Sequence, residues 1–299
     1  MKVFSALLLF ALGGIAQAQD VSLEGAIDLH VHQAPDSVRR AIDADDLARM
    51  ARKMGMRGLV MKNHWEPTAS LAYMVRKAVP GIEIFGGVTQ DLAVGGINLE
   101  AVKHMVATTG SYGRVVWLPT FDNDTPAKRE KNLPRVPVAK DGALLPSVIA
   151  LIDWIGQHKE LVLETGHVSP EEGLMVIAAA KRAGVEHIVV THALDMGWTV
   201  SQMRQAATQG AYLEFVYHST LGAHQAEKFK TYAEAMRAVG PAHCIMATDL
   251  GDVPPNTNYP LEPQGFLDFM RAMQKEGIAV SDIDRMSKTN PALALGLTP

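Results

Sequence analysis

Asp28-Leu29-His30-Val31-His32, residues 28–32, closes the first apolar run after the amino terminus. Side chains alternate along a β-strand, which predicts His30 and His32 on one face together with Asp28. The same alternation predicts Leu29 and Val31 on the other face. Two imidazoles two residues apart on one face can bind one metal ion. A His-x-His pair is common by chance, so its meaning depends on what the rest of the chain places beside it.

Seven further short apolar runs follow, each bounded by glycine, proline or polar residues. Continuous apolar character is typical of strands that are buried on both faces of a parallel sheet. We number the predicted strands 1 to 8 in chain order: residues 26–29, 58–61, 82–88, 114–118, 161–165, 187–191, 211–215 and 244–248.

Amphipathic stretches lie between and after these runs, many opening on proline or acids and ending before glycine, which is the usual start and stop chemistry of helices. The predicted helices are 43–54, 67–78, 98–109, 146–157, 170–183, 200–209, 223–239 and 264–276. Eight strand–helix units in about 280 residues predict an α/β fold, a single-domain (β/α)₈ TIM barrel. An open doubly wound sheet is the alternative, but no Gly-x-Gly-x-x-Gly follows strand 1.

The amino-terminal segment has the layout of a secretory signal peptide. Lys2 precedes an apolar run at residues 3–15, and Ala16-Gln17-Ala18 is a small-residue cleavage pattern. We therefore predict a signal peptide at 1–18 and a barrel domain at 19–299, with no membrane span in the mature form. Cys244 is the only cysteine, and export without disulfides fits a bacterial periplasm.

The charge pattern bears on the partners. A net charge of −4 with no basic block argues against nucleic acid, which leaves a small-molecule substrate as the expected partner. The sequence leaves open whether the chain forms a homo-oligomer.

Histidines and acids stand at the ends of several other predicted strands. In a parallel barrel these carboxyl ends meet at one mouth, where active sites lie. Imidazole and carboxylate together suit zinc, manganese or iron. The residues at strand ends 2, 5, 6, 7 and 8 are Lys62, His64, His167, His192, Glu214 and Asp249.

This pattern resembles the amidohydrolase superfamily, whose order of strand-1 His-x-His, strand-5 and strand-6 histidines and strand-8 aspartate runs through the whole mature chain. The segments 29–36 (LHVHQAPD), 117–120 (WLPT) and 290–292 (NPA) resemble an uncharacterised bacterial branch of it. The resemblance implies a metal-dependent hydrolase in which metal-activated water cleaves an amide, lactone or ester. It implies these ligands: His30, His32, His167, His192 and Asp249.

The resemblance also implies catalytic roles. Asp249 would take the proton of the attacking water and pass it to the leaving group. His192 would either bind a second ion or polarise the substrate.

Strand 4 departs from the two-metal pattern of that superfamily. Val115-Val116-Trp117-Leu118 offers neither the bridging lysine nor the glutamate expected there, which favours one divalent ion, with zinc expected. Lys62 leaves a site with two ions as an alternative, because a carboxylated lysine could bridge the ions from strand 2. Lys62 could otherwise bind a substrate anion or be solvated.

Three further residues carry open interpretations. His64 is predicted as a ligand or a substrate contact, against an ordinary loop histidine. Glu214 is a candidate substrate contact or a structural ion pair. Arg40, or its neighbour Arg39, could hold a carboxylate or phosphate of the substrate, or both could form an ordinary surface pair. The long break at residues 121–145 follows strand 4 and is predicted to be an active-site lid.

Three other functions remain as alternatives. A phosphoesterase is the first, because 28–32 and Asn63-His64 also resemble the polymerase and histidinol phosphatase family. That family usually has Asp-x-His after its last strand, and Asp249-Leu250-Gly251 lacks the histidine. A metal-dependent decarboxylase is the second, since the missing strand-4 ligand permits it. A non-catalytic periplasmic metal or solute binder is the third.

Overall fold

Eight parallel strands form one sheet that curves into a barrel in the computed structural model, which describes residues 20–253 and 259–299. Each strand pairs with its neighbour in chain order, as the predicted (β/α)₈ barrel requires. The barrel is therefore confirmed. The predicted signal peptide lies outside the described residues.

The strands match the predicted apolar runs to within two residues at each end. Their short lengths follow from the glycine, proline and polar residues that bound each run. Barrel strands 1 to 8 are Ile27–Val31, Gly58–Met61, Glu83–Thr89, Gly113–Trp117, Val162–Glu164, His187–Val190, Tyr212–Val216 and Cys244–Ala247.

Strands 8 and 1 close the barrel through few contacts. The backbone N–H of Asp249 donates to the His30 carbonyl at 2.7 Å, and that of His32 donates to the Leu250 carbonyl at 2.8 Å. Gly251 has a φ of 124°, and a side chain there would collide with the His32 carbonyl oxygen. Glycine is thus required where the end of strand 8 passes strand 1.

The helices that follow the strands begin and end close to their predicted positions. Pro170–Ala183 shows why: Ser169 and Glu172 form a reciprocal capping box at its start, and Gly184 ends it with a φ of 79°. None of the helices in the described ranges has the length and apolar character that a bilayer crossing needs. The main helices are Ala44–Lys53, Ala69–Ala78, Leu99–Ala107, Pro146–Ile155, Pro170–Ala183, Val200–Thr208, Gln225–Val239 and Gln264–Lys275.

The amino-terminal end of the barrel is closed by the carboxyl-terminal part of the chain, which was not predicted to be helical. It folds as Val280–Asp284, a π-helical turn at Arg285–Thr289, and Asn290–Ala294. Ala292 and Leu295 pack with the inner apolar cluster of the barrel. Asn290 Nδ2 donates to the Cys244 carbonyl at 2.6 Å, at the start of strand 8. The opposite end is left open for a site.

Strand 1 does not alternate as predicted. Ile27 and Leu29 both lie in the inner cluster, while Val31 packs in the outer layer against the helices. The pairing of strand 1 with strand 2 shifts register between Asp28 and Val31, which is a bulge. Asp28 therefore does not share the face of His30, and its carboxylate instead accepts the backbone N–H of His30 at 3.0 Å.

The segment 121–145 has its own secondary structure. It contains a helical turn at Pro126–Glu130 and a small hairpin between Ala139–Lys140 and Ala143–Leu144. A cavity of about 1040 Å³ lies between this segment and the start of helix Pro170–Ala183. The first residues of the segment reach the open end of the barrel.

Helix Gln264–Lys275 offers a test of the packing. Phe269 is fully buried, with its ring centroid 5.6 Å from that of Tyr217 and 6.1 Å from that of Tyr232. We expect Phe269→Ala to lower the free energy of unfolding by about 3–5 kcal/mol in urea denaturation. Arg271→Ala on the same helix should change it by under about 0.5 kcal/mol, because that side chain is 60% exposed. Equal losses in the two variants would contradict this packing.

Candidate metal centre

The open end of the barrel collects the residues that the sequence placed at strand ends. His30 lies in strand 1, and His32 directly follows it. His192 and Asp249 come two residues after strands 6 and 8. The structure thus brings these four side chains together from distant parts of the chain, and their role as ligands remains a prediction.

Asp249 is the centre of the cluster. Its Oδ1 lies 3.0 Å from His30 Nε2 and 3.0 Å from His32 Nε2, and its Oδ2 lies 3.8 Å from His192 Nε2. The ligand atoms of His30, His32 and Asp249 lie within 4.8 Å of one another. Three such atoms converging on one point is the donor set of a catalytic zinc site, which keeps a further position open for water or substrate.

A second grouping lies beside the first. His30, His192 and Glu214 also bring one ligand atom each to within 4.8 Å of one another. His167 belongs to neither grouping, although its ring centroid lies 4.8 Å from that of His192. The predicted ligand His167 therefore lies beside the cluster.

Two buried histidine nitrogens without hydrogen-bond partners indicate whether these residues suit a metal ion. His167 Nε2 and His192 Nε2 are buried and have no hydrogen-bond partner. A buried polar atom without a partner costs about 1–3 kcal/mol. Both atoms bear the lone pair that a metal ligand needs if their Nδ1 atoms carry the proton, so a divalent ion near them would remove this cost. The donor set and these atoms fit a metal ion.

Hydrogen bonds at the rear nitrogens orient the His30 and His32 rings. His32 Nδ1 donates to the Lys62 carbonyl at 2.8 Å, which leaves its Nε2 facing Asp249. His30 Nδ1 lies 3.2 Å from Glu214 Oε2, which also leaves Nε2 at the front. Partners of this kind fix the ring and the tautomer of a ligating histidine.

The electrostatic field at this point favours a cation. Burial and Lys62 oppose protonation of His30, but Asp249 and Glu214 outweigh them and raise its pKa to about 10. Burial also opposes ionisation of Asp249, yet His30 and His32 hold the pKa of that carboxyl well below its usual range. Asp249 is therefore a carboxylate at neutral pH. The acidic side chains that favour a charged His30 would also stabilise a cation bound beside it.

Two of these residues have unfavourable backbone conformations. His192 has a φ of 27° and Asp249 a φ of 53°, both on the left-handed side of the Ramachandran map. Such a conformation costs about 1–3 kcal/mol for most residues and clusters at functional sites. At both positions the turn directs the side chain into the cluster directly after its strand ends.

Lys62 is a buried amine and not the solvated charge that one interpretation allowed. It is fully buried, with Nζ 2.9 Å from His30 Nε2 and 5.5 Å from the centre of the Trp117 ring. Burial lowers the pKa of Lys62, and four acidic side chains, Asp249 foremost, partly counter that effect. Trp117, whose ring the amine faces, is the last residue of strand 4.

Glu214 lies behind the histidines rather than at the substrate side. It is fully buried, and its Oε2 accepts the backbone N–H of His192 at 3.1 Å in addition to pairing with His30. These contacts fit the structural ion pair, and the role of Glu214 as a substrate contact remains a prediction.

Arg40 is also engaged structurally. Its Nε donates to Asp36 at 2.7 Å, and its Nη1 donates to Asp252. The two contacts tie the loop after strand 1 to the loop after strand 8. Because both edges of the guanidinium that face these loops are occupied, nothing in these contacts supports the predicted substrate-binding role.

Two functional candidates were missed at the sequence level. Glu164 at the end of strand 5 is fully buried, and burial together with Glu214 raises its pKa to about 8. The signal for it was one acid within an apolar strand. Asp91, after strand 3, accepts the Thr120 hydroxyl at 2.5 Å, and Thr120 Oγ1 lies 2.8 Å from His64 Nδ1. No local pattern connects those three residues.

Segment 121–145 contributes to the mouth through its first residues. The Phe121 ring lies 4.2 Å from the His64 ring and stacks on Trp65 at 5.4 Å. Asn123 Nδ2 donates to the His167 carbonyl at 2.9 Å. These contacts place the first residues of the segment beside His64 and His167, and its role as a lid remains a prediction.

Comparison with known proteins gives a family and a fold. A model of a family of unknown function, DUF6282, matches residues 25–214. No curated protein matches the chain.

Solved hydrolases share the fold at low sequence identity. An organophosphorus hydrolase from Deinococcus radiodurans has a TM-score of 0.62 at 14% identity, covering 96% of this chain and all (100%) of its own. A phosphotriesterase homology protein from Escherichia coli, complexed with phosphate in its active site, has a TM-score of 0.59 at 16% identity, covering 92% and 99%. A lactonase from Listeria monocytogenes has a TM-score of 0.59 at 12% identity, covering 93% and 97%. The barrel expected from the resemblance is thus confirmed as a fold.

Glu214 supplies a test of the cluster. We expect Glu214→Gln to weaken zinc binding about 10–100-fold, because the carboxylate that orients His30 is lost. Isothermal titration of the metal-free protein with zinc measures this. Glu227→Gln, at a side chain that is 80% exposed, is the matched control and should bind zinc as the unmodified chain does. Equal affinity in both variants would show that Glu214 does not support a metal site.

Proposed function

We propose that this chain, which belongs to the family of unknown function DUF6282, is a metal-dependent hydrolase that cleaves an amide, lactone or ester of a small molecule. The observation that carries the proposal is the Asp249 carboxylate in contact with His30 and His32 at the open end of the barrel. The fold neighbours from Listeria monocytogenes and Deinococcus radiodurans, a lactonase and an organophosphorus hydrolase, support it.

The proposed ion is held by His30, His32 and Asp249, with His192 and His167 beside them. When bound, a divalent ion such as zinc lowers the pKa of a water molecule to about 7 and polarises the bond to be cleaved. One ion is favoured, because strand 4, Gly113–Trp117, contains neither the lysine nor the glutamate that would bridge two ions. A site with two ions remains an alternative, since the Lys62 amine lies at the cluster and could be carboxylated to bridge them.

The chain's own groups move the proton. Among residues 20–253 and 259–299, Asp249 Oδ1 has the two contacts at 3.0 Å, whereas Oδ2 lies 3.8 Å from His192 Nε2. Oδ2 is therefore the oxygen that accepts a proton from the attacking water. The same atom then returns the proton to the leaving group, as base and then acid. His192 Nε2, 3.8 Å from that oxygen, lies where it can bind a second ion or polarise the substrate.

Asp249→Asn tests this step. We expect kcat to fall about 10²–10⁴-fold, because Asn cannot accept the proton. Asn tolerates a positive φ as Asp does, so the backbone turn is retained. Asp252→Asn, which alters only the pair with Arg40, should keep most of the activity. Full activity of Asp249→Asn on a true substrate would exclude this mechanism.

Metal removal with a chelator should abolish turnover, and zinc should restore it. A panel of lactones, aryl esters and amides, assayed before and after chelation, measures this and identifies the substrate class. Turnover that survives complete metal removal would contradict the proposal.

A phosphoesterase is the second candidate. The phosphotriesterase homology protein from Escherichia coli, a fold neighbour that holds phosphate in its active site, favours it. Turnover of an aryl phosphate, with none of esters or lactones, would establish it. Release of carbon dioxide from a carboxylic acid would instead indicate a decarboxylase. Tight ligand binding without turnover would indicate a solute binder.

Export to a bacterial periplasm is also proposed, on the sequence pattern of residues 1–18 alone. Expression in a bacterial host should yield a chain that begins at Gln19, which sequencing of its amino terminus would detect. A periplasmic or medium fraction that contains only the uncleaved chain would contradict the proposal.

A further inference from the structure

His64 is held by two residues from other loops. It follows strand 2, while Asp91 follows strand 3 and Thr120 follows strand 4. Thr120 and Asp91 are fully buried, and His64 is 5% exposed. A buried line of carboxylate, hydroxyl and imidazole therefore runs across three successive loops toward the mouth of the barrel.

The directions of the hydrogen bonds in this line follow from proton counting. Asp91 Oδ1 accepts the backbone N–H groups of Thr120 at 2.8 Å and Asp122 at 3.1 Å. Asp91 Oδ2 accepts the single hydroxyl proton of Thr120 at 2.5 Å. With Asp91 ionised, Thr120 Oγ1 has only lone pairs to offer, so His64 Nδ1, at 2.8 Å, carries a proton and donates it.

The remaining nitrogen of His64 is consequently without a proton in the neutral ring. Nε2 has no hydrogen-bond partner in residues 20–253 and 259–299. Unlike the unpaired Nε2 atoms of His167 and His192, it is not fully buried, so a ligand in the mouth can reach it. The ring itself is fixed by His32, whose centroid lies 4.9 Å away, and by Phe121 at 4.2 Å. His64 belongs to neither grouping of ligand atoms, so its Nε2 is placed beside the ion site and not in it.

We propose that Asp91 and Thr120 are positioning residues that fix His64 with a bare Nε2, which accepts a hydrogen bond from a hydroxyl or N–H group of the substrate. The proposal rests on the proposed hydrolase function for the identity of the ligand as a substrate. It adds a requirement that the metal cluster does not impose: the substrate carries a donor near the bond that is cleaved.

The tautomer of His64 is measurable without a substrate. Long-range ¹H–¹⁵N spectra of the ¹⁵N-histidine-labelled, zinc-loaded protein distinguish a protonated from a bare ring nitrogen, and His64→Gln identifies the His64 signals by their loss. We expect a protonated Nδ1 and a bare Nε2. A protonated Nε2, or a shift of Nε2 that shows direct coordination when zinc is added, would overturn the proposal.

Substitutions in the line give directional results. Asp91→Asn offers a donor to Thr120, which frees the hydroxyl to donate to His64 Nδ1, so the proton should move to Nε2. Thr120→Val removes the acceptor, and the Nδ1–H form should lose its predominance. Thr120→Ser keeps the hydroxyl and is the matched control, which should give the spectrum of the unmodified protein. An unchanged tautomer in both Asp91→Asn and Thr120→Val would overturn the proposal.

Kinetics then separate this role from a merely structural one. With the substrate found in the hydrolase panel, Thr120→Val should lower kcat/KM about tenfold, the effect of one lost hydrogen bond. Thr120→Ser should restore most of it, and zinc affinity should stay the same in both. The tautomer spectra do not depend on turnover, so a failure of this inference differs from a failure of the proposed function, which would show as turnover without metal.

Discussion

The Asp249 carboxylate is the interaction on which the arrangement of the site depends. Its contacts with His30, His32 and His192 join the last barrel strand to the first and sixth. The same stretch of backbone closes the barrel, since Asp249 N–H donates to the His30 carbonyl. The seam that closes the sheet therefore also carries the candidate ligands, and we expect a change that opens it to alter both.

The eight strands and the helices around them followed from local patterns, because apolar run length and capping residues are readable from neighbours in sequence. The positions of His30, His32, His192 and Asp249 followed from them, since parallel strand ends meet at one mouth. The features that failed depend on pairing between distant segments. The bulge in strand 1 is set by its register with strand 2, so local alternation misplaced Asp28 and Leu29.

The same physical limit explains the contacts that the sequence left open or missed. Glu214 stands at a strand end like the candidate ligands, but only the structure shows its contact with His30 Nδ1. Arg40 stands near the mouth, but two carboxylates from separate loops engage it. Asp91 and Thr120 have no individual signature, because their role exists only in the line of hydrogen bonds that reaches His64.

The line from Asp91 to His64 has a consequence for how this barrel can change. The candidate ligands His30, His32, His192 and Asp249 come from strands 1, 6 and 8. The line that reaches His64 comes instead from the loops after strands 2, 3 and 4. The two sets meet at the mouth but are carried by different arcs of the sheet. Substitutions in the loops after strands 2, 3 and 4 can therefore alter that side of the mouth while the candidate ligands on the other arc keep their positions.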